Sequence, residues 1–347
     1  MPETRIPYVD FHTAGEPFRI VVADGAHGVP ELDGTTVADR RATALADQAA
    51  DGPIDRARRL LCHEPRGHRD MYGGFITPPD PVESGAPAAF GVVFWHKDGY
   101  STACGHGTIA LGVWAVEEGI VEAPRDGVVE VPIDVPSGRV AARVTMAEGR
   151  VASVGFVNVP SSVRQLDVDV QTSVGVLRAD LSYGGATYAQ VRAADAGLAV
   201  EPRCYDELVR LGREIKWALN EHPAAKHPSD PRLDGVYATM WFDELGSTDE
   251  GPHQRNLVIF ADGQADRSPC GSGTAARCAT LRARGILGGR QTLRHESIVG
   301  TTFTAVADDG PGEGEVLAVV TGGAHRIAEG TAIVRPDDDL QTGFLLQ

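Results

Sequence analysis

Cys104-Gly105-His106-Gly107-Thr108-Ile109-Ala110 recurs 166 residues later as Cys270-Gly271-Ser272-Gly273-Thr274-Ala275-Ala276. The shared pattern is C-G-x-G-T-x-A, and its register persists on both sides without a gap. Val92-Val93-Phe94 falls on Val258-Ile259-Phe260, and Gly119-Ile120 falls on Gly285-Ile286. Each copy reads as a short β-branched and aromatic strand, a loop over 95–103 or 261–269, and a helix that starts at the cysteine and stops at a glycine. The first helix is apolar on nearly all sides through Leu111, Val113, Trp114, Ala115 and Val116, as expected of a helix enclosed by sheet. The second is more polar, and Arg277, Arg282 and Arg284 predict a wet face. Duplication of one domain explains a gapless offset better than a chance match of glycine-rich heptads.

Two such units would place two helix N-termini, and so two thiols, across a shared cleft, a common position for a ligand. The first backbone N–H groups of a helix lack partners within it and carry the positive end of the macrodipole. A thiol there is expected to have its pKa lowered from about 8.5 toward roughly 3.5–7.5, which makes thiolate available as a base. The glycines after each cysteine let a carboxylate approach the free N–H groups. Inverting an α-carbon removes a proton from one face and returns one to the other, a task for two acid–base groups on opposite sides. Cys104 and Cys270 are therefore the expected catalytic pair. Of the five cysteines, Cys62, Cys204 and Cys278 lie outside the repeated position and read as packing.

Composition bounds the alternatives. The chain has 347 residues, 42% hydrophobic and 23% charged, with a formal charge of −16. That length favours two domains, expected at 1–125, completed by 325–347, and at 126–324. The acidic balance would repel phosphate backbones and anionic membranes, so a small-molecule substrate is expected rather than nucleic acid or membrane. No apolar run approaches the roughly 18 residues of a membrane span, and residues 1–5 do not open a secretory signal, so a cytoplasmic location is expected. Widely spaced cysteines without a CxxC pair support neither a disulfide framework nor a zinc knuckle, and no metal is expected. No pattern sets the oligomeric state; a homodimer is the working expectation.

Other residues carry two readings each. His106 could hydrogen-bond the substrate amine or carboxylate, or serve as a structural donor in the first helical turn. Asp266 could bind a ring ammonium, or be a loop aspartate capping a turn. His12 and Glu16 read as a buried hydrogen-bonded turn, and Glu64, Arg66, His68, Arg69 and Asp70 as a salt-bridged loop. Tyr72, Phe75 and Phe260 are candidates for pocket walls, Tyr72 and Phe260 foremost.

Over essentially its whole length the sequence resembles the proline racemase family, which includes hydroxyproline 2-epimerases and trans-3-hydroxy-L-proline dehydratases. The stretches that carry the resemblance are 10–19 (DFHTAGEPFR), 64–73 (EPRGHRDMYG), 104–108 (CGHGT), Tyr183-Gly184-Gly185 and 266–273 (DRSPCGSG). The resemblance implies a diaminopimelate-epimerase-like α+β fold: two pseudo-symmetric domains, each with a curved sheet or barrel around a central helix, and neither pyridoxal phosphate nor metal. It further implies Cys104 and Cys270 as the catalytic pair. Gly105, His106, Gly271 and Ser272 match the carboxylate-binding helix starts, and Asp266 the residue near the substrate nitrogen. Dehydratases of the family usually carry threonine at the position of Cys270, which favours racemisation or 2-epimerisation here. Residues 68–73, 99–102 and 343–346 look closer to the dehydratase branch, so dehydration of trans-3-hydroxy-L-proline is the alternative. A non-catalytic amino-acid-binding protein is the alternative of another class, weakened because two thiols at helix starts invite oxidation.

Overall fold

The computed structural model describes residues 3–346, which divide into two compact units, 3–152 with 324–346 and 153–323. In the first unit the order is β1 (Thr4–Thr13), β2 (Glu16–Val22), α1 (Val37–Ala49), α2 (Pro53–Cys62), β3 (Tyr72–Thr77), β4 (Phe90–His96), β5 (Gly99–Tyr100), α3 (Gly105–Glu117), β6 (Gly127–Val135) and β7 (Gly138–Ala147). Next come β8 (Arg150–Val157), β9 (Ser161–Thr172), β10 (Gly175–Tyr183), β11 (Thr187–Arg192), α4 (Tyr205–Leu219), β12 (Val236–Thr248), β13 (Gly251–Phe260), β14 (Gln264–Asp266), α5 (Gly271–Ala283), β15 (Leu293–Ser297), β16 (Thr302–Asp309) and β17 (Glu315–Gly322). Finally β18 (Ala324–Val334) returns to the first unit, antiparallel to β1. The domain boundary expected at 125/126 lies instead after Ala152. The β6–β7 hairpin belongs to the first sheet, because β6 pairs in parallel with β4 through Phe90↔Ile133.

In the second unit the ladder runs β9-β10-β11-β12-β13-β15-β16-β17 and closes where Glu315 and Val316 of β17 pair with Ser162 and Ser161 of β9. Closure removes free edges, and α5 runs inside, touching β9, β10, β11, β16 and β17. Enclosure explains its composition: every residue from Gly271 to Leu281 is buried. Arg277, expected on a wet face, is 2% exposed. Its guanidinium donates to Gln254 and Gln190 and lies 3.7 Å from the Phe242 ring centroid. Amide acceptors and a π face thus compensate a charge that the helix pattern alone assigned to solvent. Outside this barrel, α4 buries Leu208, Leu211, Ile215 and Leu219. Their i, i+3, i+7, i+11 spacing forms one stripe, each side chain contributing about 1.5–3 kcal/mol.

The first unit repeats the plan with the order β18-β1-β2-β3-β4-β6-β7. Helix α3 packs against β1, β2, β6, β7 and β18 and is buried from Gly105 to Ala115. Helices α1 and α2 cover the other face through Val37, Ala44, Ile54, Ala57, Leu60 and Leu61. Thr36 and Asp39 form a capping box that starts α1. The repeat offset holds residue for residue at α3 and α5, and both helices end at a glycine with positive φ, Gly119 and Gly285. The Leu281 carbonyl accepts from Ile286 N–H, the 6→1 bond of a Schellman stop. The connecting segments are not plain loops, since each strand folds back on itself. β4 pairs with β5 and β13 with β14, and Gly99 and Gly263 supply the positive φ the turns need. Asp266 therefore ends a strand rather than floating in a loop.

Candidate active site

Cys104 is the N-cap of α3, extended at φ −154°, and its sulfur accepts the Gly107 N–H at 3.2 Å. A Cβ on Gly107 would lie 2.4 Å from Phe18 and 2.8 Å from that sulfur, so glycine is required there by contact. The ring of His106 lies beside the thiol, with Nδ1 3.5 Å and Nε2 3.6 Å from Sγ. Burial pushes the imidazole down to about 3, the Pro17 carbonyl pulling weakly the other way. His106 is therefore neutral at physiological pH. Thr13 donates to the His106 carbonyl at 2.9 Å. Tyr72, 1% exposed, meets the His106 ring edge to face at 5.0 Å and hydrogen-bonds Ser101. Phe75, by contrast, packs into the outer core under α1 and α2.

In the second unit Cys270 begins α5 with φ +60° and ψ 111°, a sparsely populated conformation for a residue with a Cβ. Its side chain does not cap the helix. A Cβ on Gly273 would fall 2.7 Å from Met240 and 3.0 Å from the Cys270 sulfur. Asp266, 4% exposed, accepts from both the N–H (2.8 Å) and the hydroxyl (2.7 Å) of Ser268. The turn-capping reading of Asp266 is thus present, and the carboxylate also stands beside Cys270, where burial raises it to about 6. Burial, then the Asp266 charge, push the Cys270 thiol well above its ordinary value. The expected dipole-lowered thiolate is corrected here: complete desolvation outweighs the helix N-terminus. Ser272 is fully buried, and its hydroxyl has no hydrogen-bond partner among the described residues. Tyr188 places its hydroxyl 3.9 Å from the Cys270 sulfur, and the rings continue from Tyr188 to Tyr237 and on to Phe260, which stacks on Tyr237 at 5.9 Å. Gly184 packs against this helix start, since a Cβ there would be 2.5 Å from the Ser272 carbonyl.

The sequence missed Thr13, Tyr188, Tyr237 and Ser268; of these, Thr13, inside DFHTAGEPFR, and Ser268, inside DRSPC, carried a local signal. The charged stretches are structural. Asp10 and Arg19 form a buried bidentate pair at 2.8 and 2.7 Å, and Arg19 also donates to the carbonyls of Leu61 and Arg66. Arg66 pairs with Asp338 at 2.6 Å. His12 is half-buried and packs against His325 rather than any thiol. Burial pushes the Cys62 and Cys278 thiols up to about 12, consistent with inert packing. Among the described residues no group of three or more His, Cys, Asp or Glu side chains could hold a metal ion, and no helix is long and apolar enough to cross a membrane.

The family model described as proline racemase matches residues 8–345. The chain belongs to the proline racemase family. It is 39% identical over 350 residues to a trans-3-hydroxy-L-proline dehydratase of Bacillus cereus, covering 97% of each chain. It is 42% identical over 349 residues to a 3-hydroxyproline 2-epimerase of Burkholderia multivorans, covering 98% of this chain and 97% of the other. A crystal structure of a hydroxyproline epimerase from Agrobacterium vitis with bound trans-4-hydroxy-L-proline superposes with a TM-score of 0.86 at 29% identity, covering 99% and 96% of the two chains. The diaminopimelate-epimerase-like α+β fold expected from the sequence is the one observed, and it is shared with solved proteins of the PhzF family. As a member of this proline racemase family the chain is an enzyme.

Proposed function

We propose that this enzyme moves the α-proton of proline or a hydroxyproline without a cofactor, inverting the α-carbon, with Cys104 and Cys270 as the acid–base pair. The observation that carries the proposal is the equivalence of the two thiols: each stands at the first turn of a buried helix, at matching positions of the repeat. The N–H groups of Gly105, His106, Gly271 and Ser272, with the Ser272 hydroxyl, take the substrate carboxylate. Asp266 takes the ring ammonium, whose positive charge offsets the buried carboxylate. One thiolate removes the α-proton and becomes a thiol, the electron pair left on carbon is delocalised into the carboxylate, and the opposite thiol returns a proton to the other face. Burial raises the Cys270 thiol well above its ordinary value, which favours it as the starting proton donor, and the roles of the two sulfurs exchange with the direction of reaction.

In D₂O the enzyme is expected to place deuterium at the α-carbon of both isomers of L-proline, trans-4-hydroxy-L-proline or trans-3-hydroxy-L-proline. Cys104→Ser and Cys270→Ser are each expected to lower inversion by at least about a thousandfold. Normal inversion with either thiol removed rejects the assignment. A second outcome is favoured by the Bacillus cereus relative, whose name is that of a dehydratase. In that reaction the same carbanion from trans-3-hydroxy-L-proline expels the C3 hydroxyl, which takes the proton held by a cysteine thiol and leaves as water, and the resulting enamine tautomerises to Δ1-pyrroline-2-carboxylate. A product reactive with o-aminobenzaldehyde distinguishes it from epimerisation.

A further inference from the structure

The Pro269–Cys270 peptide is held at every polar atom. The Pro269 carbonyl accepts two hydrogen bonds, from Asn256 Nδ2 at 2.9 Å and from Thr274 Oγ1 at 2.9 Å. The Cys270 N–H donates to Ser268 Oγ at 3.1 Å, and that hydroxyl donates to Asp266. The Cys270 carbonyl accepts the Thr274 N–H at 2.9 Å. Fixing the plane before Cα and the carbonyl after it leaves no freedom in φ, which stands at +60°.

A second layer holds the clamp. Thr274 Oγ1 also lies 2.8 Å from His295 Nδ1. A hydroxyl has one proton, and a carbonyl can only accept, so that proton goes to Pro269 and His295 Nδ1–H must be the donor to Thr274. This fixes the tautomer of a fully buried ring whose Nε2 has no partner among the described residues. Asn256 is likewise fully buried and donates with the same amide nitrogen to the Glu296 carbonyl at 3.3 Å. Burial makes each of these bonds costly to lose.

The clamp exists in only one unit. At the repeat offset the counterparts of Asn256, Pro269 and His295 are Phe90, Ala103 and Val129, and only Thr274 is kept, as Thr108. Thr108 Oγ1 bonds the Cys104 carbonyl instead, and Cys104 is in ordinary extended backbone. Strain confined to one of two equivalent thiols, with dedicated buried groups to maintain it, is what a functional constraint leaves behind.

We infer that Asn256, Thr274 and His295 are positioning residues that hold Cys270 in its positive-φ conformation and so aim its sulfur; their role in turnover rests on Cys270 acting as an acid–base group. The test is the crystal structure of Thr274→Val, with steady-state kinetics alongside. Val keeps the shape and removes both hydroxyl bonds. Cys270 φ is expected to turn negative with its sulfur displaced by about 1 Å or more, which costs about a hundredfold in kcat with KM within threefold. Thr274→Ser, which keeps the hydroxyl, is expected to retain φ near +60° and restore most of kcat. Asn256→Ser, which removes one of the two bonds to Pro269, provides the same structural readout if Thr274→Val does not fold. Cys270 φ unchanged near +60° in the folded variant overturns the inference. Should φ move as expected while the parent enzyme turns over no proline derivative, the clamp stands and the proposed reaction falls.

Discussion

Gly273→Ala tests whether the glycine two residues into the helix is there to make room beside a thiol. The added methyl would lie 2.7 Å from Met240 Cε, 3.0 Å from Cys270 Sγ and 3.2 Å from Tyr188 Cε1. Ordinary carbon contacts are about 3.5–4.0 Å, so three neighbours must each give by several tenths of an ångström. Met240 can move at its flexible end; the Tyr188 ring and the Cys270 sulfur cannot both do so without changing their mutual placement. Overpacking of this kind costs about 1–3 kcal/mol, and alanine returns about 1 kcal/mol as the better helix former. Net destabilisation is thus about 0–2 kcal/mol, comparable with the effect on chemistry, because displacement of a reacting group by about 1 Å lowers turnover about a hundredfold and a shift of several tenths of an ångström about tenfold. Thermal melting and α-proton exchange in D₂O measure the two quantities on the same preparation. Gly323→Ala, where an added Cβ meets nothing within 4 Å, is the control and is expected to leave both unchanged. A folded Gly273→Ala enzyme within threefold of parent exchange would refute the steric account of the C-G-x-G-T pattern.

Burial holds Cys270 as a thiol, so in Cys104→Ser its alkylation by iodoacetamide, followed by peptide mapping, is expected to be slow at pH 7 and still rising above pH 9; a plateau below pH 8 contradicts this. Asp266 is raised from 3.8 to about 6 by burial, so its ionised form opposes folding: its contribution is neutral below pH 4 and grows more destabilising as pH rises through about 6. Asp266→Asn is accordingly expected to raise the stability of the ligand-free enzyme at pH 8 by on the order of 2–3 kcal/mol and to change nothing at pH 3.5, as denaturant titration would show. Arg19→Lys keeps the charge but loses the bidentate geometry with Asp10 and the bonds to the Leu61 and Arg66 carbonyls. A loss of about 2–4 kcal/mol is expected in urea unfolding, and less than 1 kcal/mol would mean those bonds are replaceable.

What could be read from the residues was whatever repeats or is local. The gapless C-G-x-G-T repeat located both central helices, their cysteine starts and their glycine stops, because helix initiation and termination are written within a few residues. The same repeat separated Cys104 and Cys270 from the three other cysteines, a division that burial does not make, since Cys62, Cys104, Cys270 and Cys278 are all buried. Properties set by residues distant in the chain were not legible. The domain boundary at 125/126 failed because the β6–β7 hairpin is recruited by a parallel pairing to β4. Arg277 was misplaced because its compensation comes from Gln190, Gln254 and Phe242, on three different strands.

The thiol chemistry shows the division most clearly. Sequence by itself determined that Cys104 and Cys270 begin equivalent helices, since capping and propensity act over one turn of chain, but it did not place Cys204, the N-cap of α4. Only tertiary structure decided the ionisation of Cys270 and the backbone state of both. Desolvation and the Asp266 charge act through space and reverse the effect of the helix N-terminus at Cys270. The positive φ of that residue survives because Asn256, Thr274 and Ser268, brought together by the barrel, bind the flanking peptide groups. No pattern along the chain can report a free energy that depends on what surrounds a group from all sides.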